Sequence, residues 1–412
     1  MSSALFASLF SGAGGLDIGM EAAGWDCVYA SDIDGAAVQT LFENSYDYGC
    51  GNSYGRAHLE QADVRQLTGR EILAKGATRR GDLPLLVGGP PCQSWSSAGH
   101  QLGFQDARGR LFDDFIRIAG ELDVRWLLFE NVRGLLTARG PDGRPGGALE
   151  LIRAKLLKAG FQTHVALLNA ADYGVPQRRV RLFVFGYRSG DPLPFPGPTH
   201  HKFAAEDLTF GEPWVSMHEA LAAIEPVADD EIIRPSGKLA DQLKGLPPGS
   251  GVKSPGKAES TRPGGHWGYK QGAFVADLSL PARTVTANAQ QDWIIDERLG
   301  VRRLCPRECA ALQTFPVDWR FCGTRIDQYR LIGNAVPPLL AGRVGQSMLE
   351  HFTSDKREPR VVQSALLPLE PRLEAAIRYT WREELRNGAS RREAPSRRRS
   401  RISQAEPMEA AE

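Results

Sequence analysis

The sequence predicts an α/β protein with a doubly wound sheet and a second, smaller domain dominated by loops. Over the first 190 residues, short apolar runs alternate with segments whose apolar residues recur at helical spacing, as βαβ units do. A glycine-rich turn directly follows the first apolar run and opens a helical segment. After Gly190 the chain becomes rich in proline and glycine, which indicates a change of architecture.

The individual elements follow from these patterns. We expect strands over residues 4–10, 27–31, 83–87, 126–130, 164–169 and 181–186. We expect helices over residues 36–44, 111–119 and 149–159. Because helical segments alternate with most of these strands, the sheet should be doubly wound and parallel, with right-handed crossovers. Short strands should follow at 282–287 and 293–295, and then a turn and a helix over 331–344.

The overall charge does not indicate a nucleic-acid-binding protein. The 412 residues include 50 basic and 49 acidic side chains. The end of the chain is uneven, because arginines cluster between Arg391 and Arg401 before acidic residues from Glu406 onward. Its low apolar content is typical of a disordered, solvated tail, and a nucleic-acid tether is the alternative.

Cysteine usage indicates a reducing, cytoplasmic setting. The chain has six cysteines, and we expect no secretory leader. Cys305, Cys309 and Cys322 lack a nearby histidine and a CxxC pair, so we interpret them as packing residues and expect no metal. No apolar run approaches the roughly 20 residues that span a bilayer, which predicts a soluble protein.

A cysteine lies at the expected carboxyl end of the third of these predicted strands. The segment from Gly88 to Ser94 reads GGPPCQS, and its prolines restrict the backbone before Cys92. Open α/β sheets place their chemistry at this end of the strands. Cys92 is therefore a candidate nucleophile, whereas a buried cysteine that closes a strand is the alternative.

The glycine-rich turn predicts a nucleoside site. It runs from Phe10 to Gly15 as FSGAGG, where glycines allow close backbone approach and a helix exposes its first amides. Asp32 ends the second strand, where an acid can hold ribose hydroxyls. Asp63 should end a further strand, between the second and the one at 83–87, beside an adenine. Helix capping is the alternative for both aspartates. The GxGxxG pattern is incomplete, which favours a nucleoside without pyrophosphate, such as S-adenosylmethionine, over NAD.

Further motifs follow in a fixed order. They are the PPCQ sequence, ENV at 130–132, QRRVR at 177–181, RECAALQTFP at 307–316 and GNAVPP at 333–338. With the glycine-rich turn, they make the sequence resemble the DNA cytosine-C5 methyltransferases of the bacterial restriction–modification type. The motifs extend from residue 5 to about residue 342. Residues from about 190 to 280 and the last 60 remain unmatched.

The resemblance implies a domain division and a set of cofactor contacts. A Rossmann-like methyltransferase domain would span residues 1–189 and be completed by 326–352, with a target-recognition domain at 190–325 and an extension at 353–412. The residues implied to bind S-adenosylmethionine are Phe10, Gly12, Gly14, Gly15, Asp32, Asp63, Asn334 and Val336. Phe10 would stack on the adenine, and the helix after Pro338 should pack beside the glycine-rich turn.

The resemblance also implies catalytic roles. Cytosine C5 is a poor nucleophile, so the Cys92 thiolate would add to C6 and activate it. Glu130, kept protonated by burial, would protonate N3. Arg179 and Arg181 share one face of a strand, where one can donate to cytosine O2 and the other can orient Glu130 or a phosphate. The alternatives are a salt-bridged strand-end glutamate and plain surface arginines.

Base access and recognition complete these expectations. A cytosine inside a duplex must be extruded to reach both reactants. Residues 93–110 resemble the mobile loop that closes over the flipped base, and 190–277 resembles the variable recognition region. The residues that we expect to contact DNA are Gln93, Ser94, Gln101, Arg110, Lys253, Arg262, His266, Trp267, Tyr269 and Lys270. A charged, solvated loop is the alternative for the recognition residues.

Three other functions remain open on the sequence alone. A transfer-RNA cytosine-C5 methyltransferase would share PPCQ and ENV, although the insert of roughly 90 residues favours DNA. A nicotinamide-dependent dehydrogenase would leave PPCQ unexplained, and a silent DNA-binding module would not need both Cys92 and Glu130. Our expectation is a monomer that acts on double-stranded DNA in a prokaryotic cytoplasm, with or without a cognate restriction endonuclease that shares its site without stable binding.

Overall fold

A central sheet organises the molecule. The structure is a computed structural model that describes residues 4–45, 54, 57–91, 111–188, 194–202, 211–253, 255, 272–354 and 365–393. Within these residues, seven strands form one sheet: β1 (Leu5–Leu9), β2 (Asp26–Asp32), β3 (His58–Gln61), β4 (Leu85–Gly88), β5 (Trp126–Val132), β6 (Gln162–Asn169) and β7 (Val180–Tyr187). Their spatial order is β3-β2-β1-β4-β5-β7-β6. The first five are parallel to one another, whereas β7 is antiparallel to both β5 and β6.

The helices lie before, between and after these strands. Those of the first half are α1 (Gly15–Ala22), α2 (Gly35–Ser45), α3 (Gly69–Lys75), α4 (Leu111–Leu122) and α5 (Gly147–Lys158). Those of the second half are α6 (Met217–Ala222), α7 (Gly237–Leu243), α8 (Pro306–Leu312), α9 (Arg325–Asn334), α10 (Pro338–Ser354) and α11 (Pro371–Glu393). Short 3-10 helices cover Arg133–Thr137, Ala170–Tyr173 and Asp229–Glu231.

The predicted fold class is confirmed, with one departure in the sheet. All six strands expected from the apolar pattern form. The strand expected to end at Asp63 also forms as β3 and ends at Gln61, whereas α3 is an addition. The expectation of a purely parallel sheet is wrong for β7. Only residues 170–179, with a single 3-10 turn, join β6 to β7, and this connection is too short for a crossover that would return a parallel strand.

Apolar layers cover both faces of the sheet. Alternate residues of β1 belong to different clusters: Phe6 packs with α1 and α10, whereas Ala7 packs with α3 and α4. Likewise Val87 and Leu86 of β4 belong to opposite clusters. Because both faces are buried, the strands are continuously apolar, which is why they were recognisable in the sequence.

A smaller sheet follows in the second half of the chain. Its strands are β10 (Ser250–Gly251), β11 (Phe274–Val275), β12 (Trp293–Asp296) and β13 (Gly300–Arg303), in that spatial order, and β8 (His200–His201) pairs separately with β9 (Glu212–Pro213). The strand predicted at 293–295 is confirmed. The one predicted at 282–287 is wrong, because only Ala282 forms an isolated bridge, with Gln177. The domain boundaries drawn from the sequence stay a prediction.

The chain then returns to the first half through α9 and α10. The turn expected at Leu331 is wrong, because α9 continues to Asn334 and the turn occupies the next three residues. The packing expected between the helix after Pro338 and the glycine-rich turn is confirmed. A Cβ on Gly19 of α1 would lie 2.4 Å from the Ala341 Cβ of α10. Within the described residues, no helix is long and apolar enough to cross a membrane.

Candidate active site

A cavity of about 160 Å³ opens at the carboxyl ends of β1, β2 and β3. Phe10, Asp32 and Asp63, the three residues expected around the adenosine of the cofactor, all line it, and Ile33 and Leu111 add apolar surface. Three segments that are far apart in sequence thus meet at one cavity. Its mixture of apolar walls and two carboxylates fits a nucleoside.

Asp32 is held in place by backbone amides. Its Oδ2 accepts a hydrogen bond from the Gly12 amide at 2.8 Å, and its Oδ1 accepts one from the Asp34 amide at 2.9 Å. Burial raises the pKa of Asp32, while the hydrogen bond from Gly12 opposes that shift. Asp63 differs, because its hydrogen bonds from Arg65 lower its pKa. A rigid carboxylate such as that of Asp32 can receive two ribose hydroxyls.

The glycine-rich turn requires glycine for steric reasons. Gly14 has a φ of +81°, and a Cβ there would lie 2.8 Å from the Tyr54 hydroxyl. A Cβ on Gly15 would lie 2.3 Å from the carbonyl oxygen of Val336. Val336 is therefore brought against the turn, as the resemblance implied. Asn334, at the end of α9, is exposed.

Buried polar groups lie beneath the turn, and the sequence analysis missed them. Ser8 Oγ donates to Asp17 Oδ1 at 2.6 Å, and the Tyr54 hydroxyl donates to Asp17 Oδ2 at 2.8 Å. Ser11, within the turn, donates to Ser8 at 2.9 Å. Burial raises the pKa of Asp17 to about 6. The turn is thus connected by hydrogen bonds to an acid inside the protein.

Glu130 forms an ion pair with Arg181 at the carboxyl end of β5. Arg181 Nε lies 3.1 Å from Glu130 Oε1, and both side chains are almost completely buried. Burial raises the pKa of Glu130, and the charges of Arg181 and Arg179 oppose that shift. The result is a carboxyl group with an elevated pKa and a fixed orientation, as proton donation near neutral pH requires.

The turn that leads to Cys92 lies directly beside this pair. A Cβ on Gly89 would be 3.4 Å from Glu130 Oε2. Asn131 Nδ2 donates to the carbonyl oxygen of Pro90 at 3.2 Å. The GGPP segment is therefore fixed against the end of β5, immediately before the predicted nucleophile.

Arg179 occupies a different environment from Arg181. It is completely buried, and its guanidinium donates to the carbonyl oxygens of Val285, Gly333 and Ala335 at 2.9, 2.7 and 2.9 Å. One side chain thus joins the strand that carries Arg181 to two distant segments. The expectation that one of Arg179 and Arg181 donates to cytosine O2 stays a prediction.

Two glutamines continue this arrangement. Gln177 Oε1 accepts from the Val285 amide at 2.9 Å, and its Nε2 donates to Gln313 Oε1 at 2.9 Å. Gln313 Nε2 donates to the carbonyl oxygen of Ile332 at 2.6 Å. The glutamine of QRRVR, Gln177, and that of RECAALQTFP, Gln313, therefore have structural roles. The motifs alone did not identify their hydrogen-bond partners.

Several predicted residues lie outside the described residues. They are Cys92, Gln93, Ser94, Gln101, Arg110, Arg262, His266, Trp267, Tyr269 and Lys270. Lys253 is described and exposed, two residues after β10. In the described ranges, no group of three or more histidine, cysteine or acidic side chains could hold a metal ion.

Comparison with known proteins identifies the family. The family model described as C-5 cytosine-specific DNA methylase matches residues 5–350. The chain belongs to this family and is a DNA (cytosine-5-)-methyltransferase. It is 29% identical over 379 residues to the type II methyltransferase M.FnuDI of Fusobacterium nucleatum, a match that covers 87% of this chain and 98% of that protein. It is 32% identical over 367 residues to the type II methyltransferase M.Eco47II of Escherichia coli, covering 83% and 78%.

Solved structures support the fold. A mutant of the Spodoptera frugiperda DNMT2 aligns with a TM-score of 0.57 at 20% identity, covering 85% of this chain and all of that one. The S. pombe Dnmt2 methyltransferase aligns with a TM-score of 0.56 at 17% identity, covering 86% and 100%. At these identities the likeness concerns the fold alone.

Proposed function

We propose that the protein transfers a methyl group from S-adenosylmethionine to C5 of a flipped-out cytosine within a specific duplex DNA sequence. The observation that carries this proposal is the buried Glu130–Arg181 ion pair at 3.1 Å, with the GGPP turn against it. This arrangement places a proton donor, Glu130, a permanent cation, Arg181, and the segment that leads to Cys92 at one edge of the sheet. The cavity at Asp32 lies at the same edge.

The cofactor would be held by residues already in place. Asp32 would accept the ribose hydroxyls, Asp63 the adenine amino group, and Phe10 would stack on the ring. The amides of the glycine-rich turn and the backbone near Val336 would border the methionine end. When bound, S-adenosylmethionine supplies an electrophilic methyl group. No metal takes part in this scheme.

The chain's own groups would activate the base. The Cys92 thiolate adds to C6, and Glu130 gives a proton to N3, which neutralises the charge that addition places on the ring. Arg181 keeps the Glu130 carboxyl oriented. After C5 has taken the methyl group, water removes the C5 proton and the bond between Cys92 and C6 breaks with its electron pair returning to the sulfur. N3 then gives its proton back to Glu130, and aromaticity is restored.

The biological setting belongs to the same proposal. Relatives that match more than four fifths of the chain are named type II methyltransferases, which supports a role in protecting DNA from a cognate restriction endonuclease. Action as a solitary methylase is the alternative. We propose that the protein acts as a monomer on cytoplasmic, nucleoid DNA.

Bisulfite sequencing of host DNA from cells that express the chain tests the reaction and identifies the target sequence. Purified protein should transfer labelled methyl groups to duplex DNA and not to transfer RNA, and it should crosslink to an oligonucleotide with 5-fluorocytosine at the target. Cys92→Ser should abolish both the methyl transfer and the crosslink. The matched control is Cys322→Ser, which replaces a cysteine beside Thr40 of α2. Methylation of transfer RNA alone, or full turnover by Cys92→Ser, would refute the proposal.

Glu130 gives a separate test. Because the protonated acid is required, turnover should fall as the pH rises through its raised pKa. Glu130→Gln can still donate a hydrogen bond but cannot release a proton, so we expect its kcat to fall by about 10²–10⁴. A wild-type pH profile retained by this variant would exclude Glu130 as the acid.

A further inference from the structure

Phe10, the residue expected to stack on the adenine, has an unusual backbone conformation. Its φ is +58°, in the left-handed region that residues with a Cβ rarely adopt. Gly12 and Gly14 of the same turn also have a positive φ, but glycine adopts it without strain. A phenylalanine in this region persists only where the surrounding structure holds it there. Contacts beside the turn must therefore offset the strain at Phe10.

Ser8 and Ser11 flank Phe10 and are joined through their side chains. The Ser11 hydroxyl donates to Ser8 Oγ at 2.9 Å, and both serines are buried. The Ser11 amide donates to the carbonyl oxygen of Ser31 in β2 at 3.1 Å. The backbone at Phe10 is thus held from both sides, because the hydrogen bond between the two hydroxyls spans it.

Asp17, in the first turn of α1, is the acceptor at the centre of these contacts. Ser8 Oγ donates to Asp17 Oδ1 at 2.6 Å, which joins the end of β1 to the start of the helix across the whole turn. The Tyr54 hydroxyl donates to Asp17 Oδ2 at 2.8 Å. Asp17 is completely buried, and Ser8 and Tyr54 are almost so. Hydrogen bonds to a carboxylate are strong, so this acid can hold the serines firmly.

The position of the Phe10 side chain determines one wall of the cofactor cavity. Phe10 lines the cavity of about 160 Å³ together with Asp32 and Leu111. Asp32 is held separately, by the backbone amides of Gly12 and Asp34. A change in the backbone at Phe10 would therefore move the aromatic wall of the cavity first.

We propose that Ser8, Ser11, Asp17 and Tyr54 form a buried network that positions the Phe10 ring for stacking on the adenine of the cofactor. This inference rests on the proposed function, because the ring has this role only if its cavity binds S-adenosylmethionine. None of the four network residues lines the cavity, so they are positioning residues that act through Phe10. A network that only stabilised the protein would leave cofactor affinity unchanged in the folded variants.

Tyr54→Phe and Ser11→Ala each remove one hydroxyl group and leave Asp17 with at least one donor. Calorimetry should show a dissociation constant for S-adenosylhomocysteine about two- to tenfold higher in each, the loss expected for one hydrogen bond. The reason is that the turn must first return to its binding conformation. In turnover assays, the KM for S-adenosylmethionine should rise by a similar factor while kcat at saturating cofactor stays at the wild-type value.

The matched control is Tyr329→Phe. Tyr329 is completely buried in α9, and its hydroxyl donates to the carbonyl oxygen of Leu304 at 2.7 Å, away from the turn. Its loss should lower the free energy of unfolding much as Tyr54→Phe does, but it should leave the affinity for S-adenosylhomocysteine unchanged. Equal loss of affinity in both tyrosine variants would overturn the inference, because the effect would then follow stability alone.

A double-mutant cycle with Phe10→Ala tests whether the network acts through the ring. When the ring is absent, Ser11→Ala should have little further effect on affinity, since no ring remains to be positioned. Asp17→Ala should weaken binding more than Ser11→Ala, whereas Asp17→Asn keeps an acceptor for Ser8 and should retain most of the affinity. Additive effects of Phe10→Ala and Ser11→Ala would overturn the inference.

The readouts separate this inference from the proposed function, because S-adenosylhomocysteine binding is measured without DNA. If wild type methylates duplex DNA and the network variants bind S-adenosylhomocysteine as tightly as wild type, the inference is refuted and the proposed function stands. If wild type binds S-adenosylhomocysteine but transfers no methyl group to DNA, the proposed function fails, and calorimetry still decides the role of the network. If wild type does not bind the nucleoside, both fail.

Discussion

Gly19 lies where α1 meets α10, and a substitution there tests how the glycine-rich turn is positioned. A Cβ at this position would come within 2.4 Å of both the Ala341 Cβ and the Pro338 carbonyl oxygen, and within 2.5 Å of the Gly342 amide nitrogen. Two of these three neighbours are backbone atoms, which a side-chain rotation cannot move. Gly19→Ala must therefore push the two helices apart.

The size of the effect follows from two opposing contributions. Overpacking of this severity costs about 3 kcal/mol, the upper part of its usual range. Replacing a helical glycine by alanine returns about 1 kcal/mol of helix propensity. We expect a net loss of about 2 kcal/mol in the free energy of unfolding. Gly120→Ala in α4 is the matched control, because its Cβ would meet nothing within 4 Å and only the gain in propensity applies.

Urea denaturation of both variants gives the free energies, and calorimetry with S-adenosylhomocysteine reports on the site. Separation of α1 from α10 also moves Gly15 away from Val336, so Gly19→Ala should weaken nucleoside binding whereas Gly120→Ala should not. The reasoning would be refuted if Gly19→Ala were as stable as Gly120→Ala, or if both bound the nucleoside equally well.

Three further changes test separate parts of the structure. Asp17→Asn should weaken the dependence of the free energy of unfolding on pH. The native pKa of Asp17, about 6, exceeds the usual 3.8, so the protonated acid adds stability that is complete below pH 3.8 and is lost as the pH rises through 6. Wild type should lose about 1.5 kcal/mol on this account between pH 5 and 8, and identical urea midpoint shifts in both proteins would contradict it. Arg302→Met should cost about 3–5 kcal/mol because it leaves Glu308 buried without its 2.8 Å partner, and the Arg302→Met/Glu308→Leu variant should regain most of it in the same assay. Asp32→Asn should weaken S-adenosylhomocysteine binding by about tenfold or more, as expected for loss of charge-assisted hydrogen bonds, and an unchanged calorimetric dissociation constant would exclude it as the ribose ligand.

The sequence predicted those parts of the fold that depend on local pattern. The strands were recognisable because both faces of the sheet are buried, and the position of Asp32 at the end of β2 followed from the apolar run before it. The apolar pattern did not give the bounds of β3, which was expected only from the position of Asp63, because its four residues, HLEQ, contain one buried apolar side chain. The direction of β7 was missed because the crossover rule was applied to every strand, although only residues 170–179 separate β6 from β7 and no helical pattern lies between them.

The contacts of Arg179 show why the rest of the site needed a structure. Its three acceptors lie 106, 154 and 156 residues away, and all are backbone carbonyls that leave no trace in side-chain pattern. Gly333 is required beside it, because a Cβ there would lie 2.2 Å from the backbone of Thr286. Because Arg181, which orients Glu130, is two residues from Arg179, the carboxyl group of the site and the backbone that contacts Gly15 are fixed to one buried cation. The glycine-rich turn and the Glu130 carboxyl group are therefore mechanically linked, so a change at Arg179 should alter nucleoside affinity and the pH profile of turnover together, whereas one at Arg181 should alter the pH profile alone.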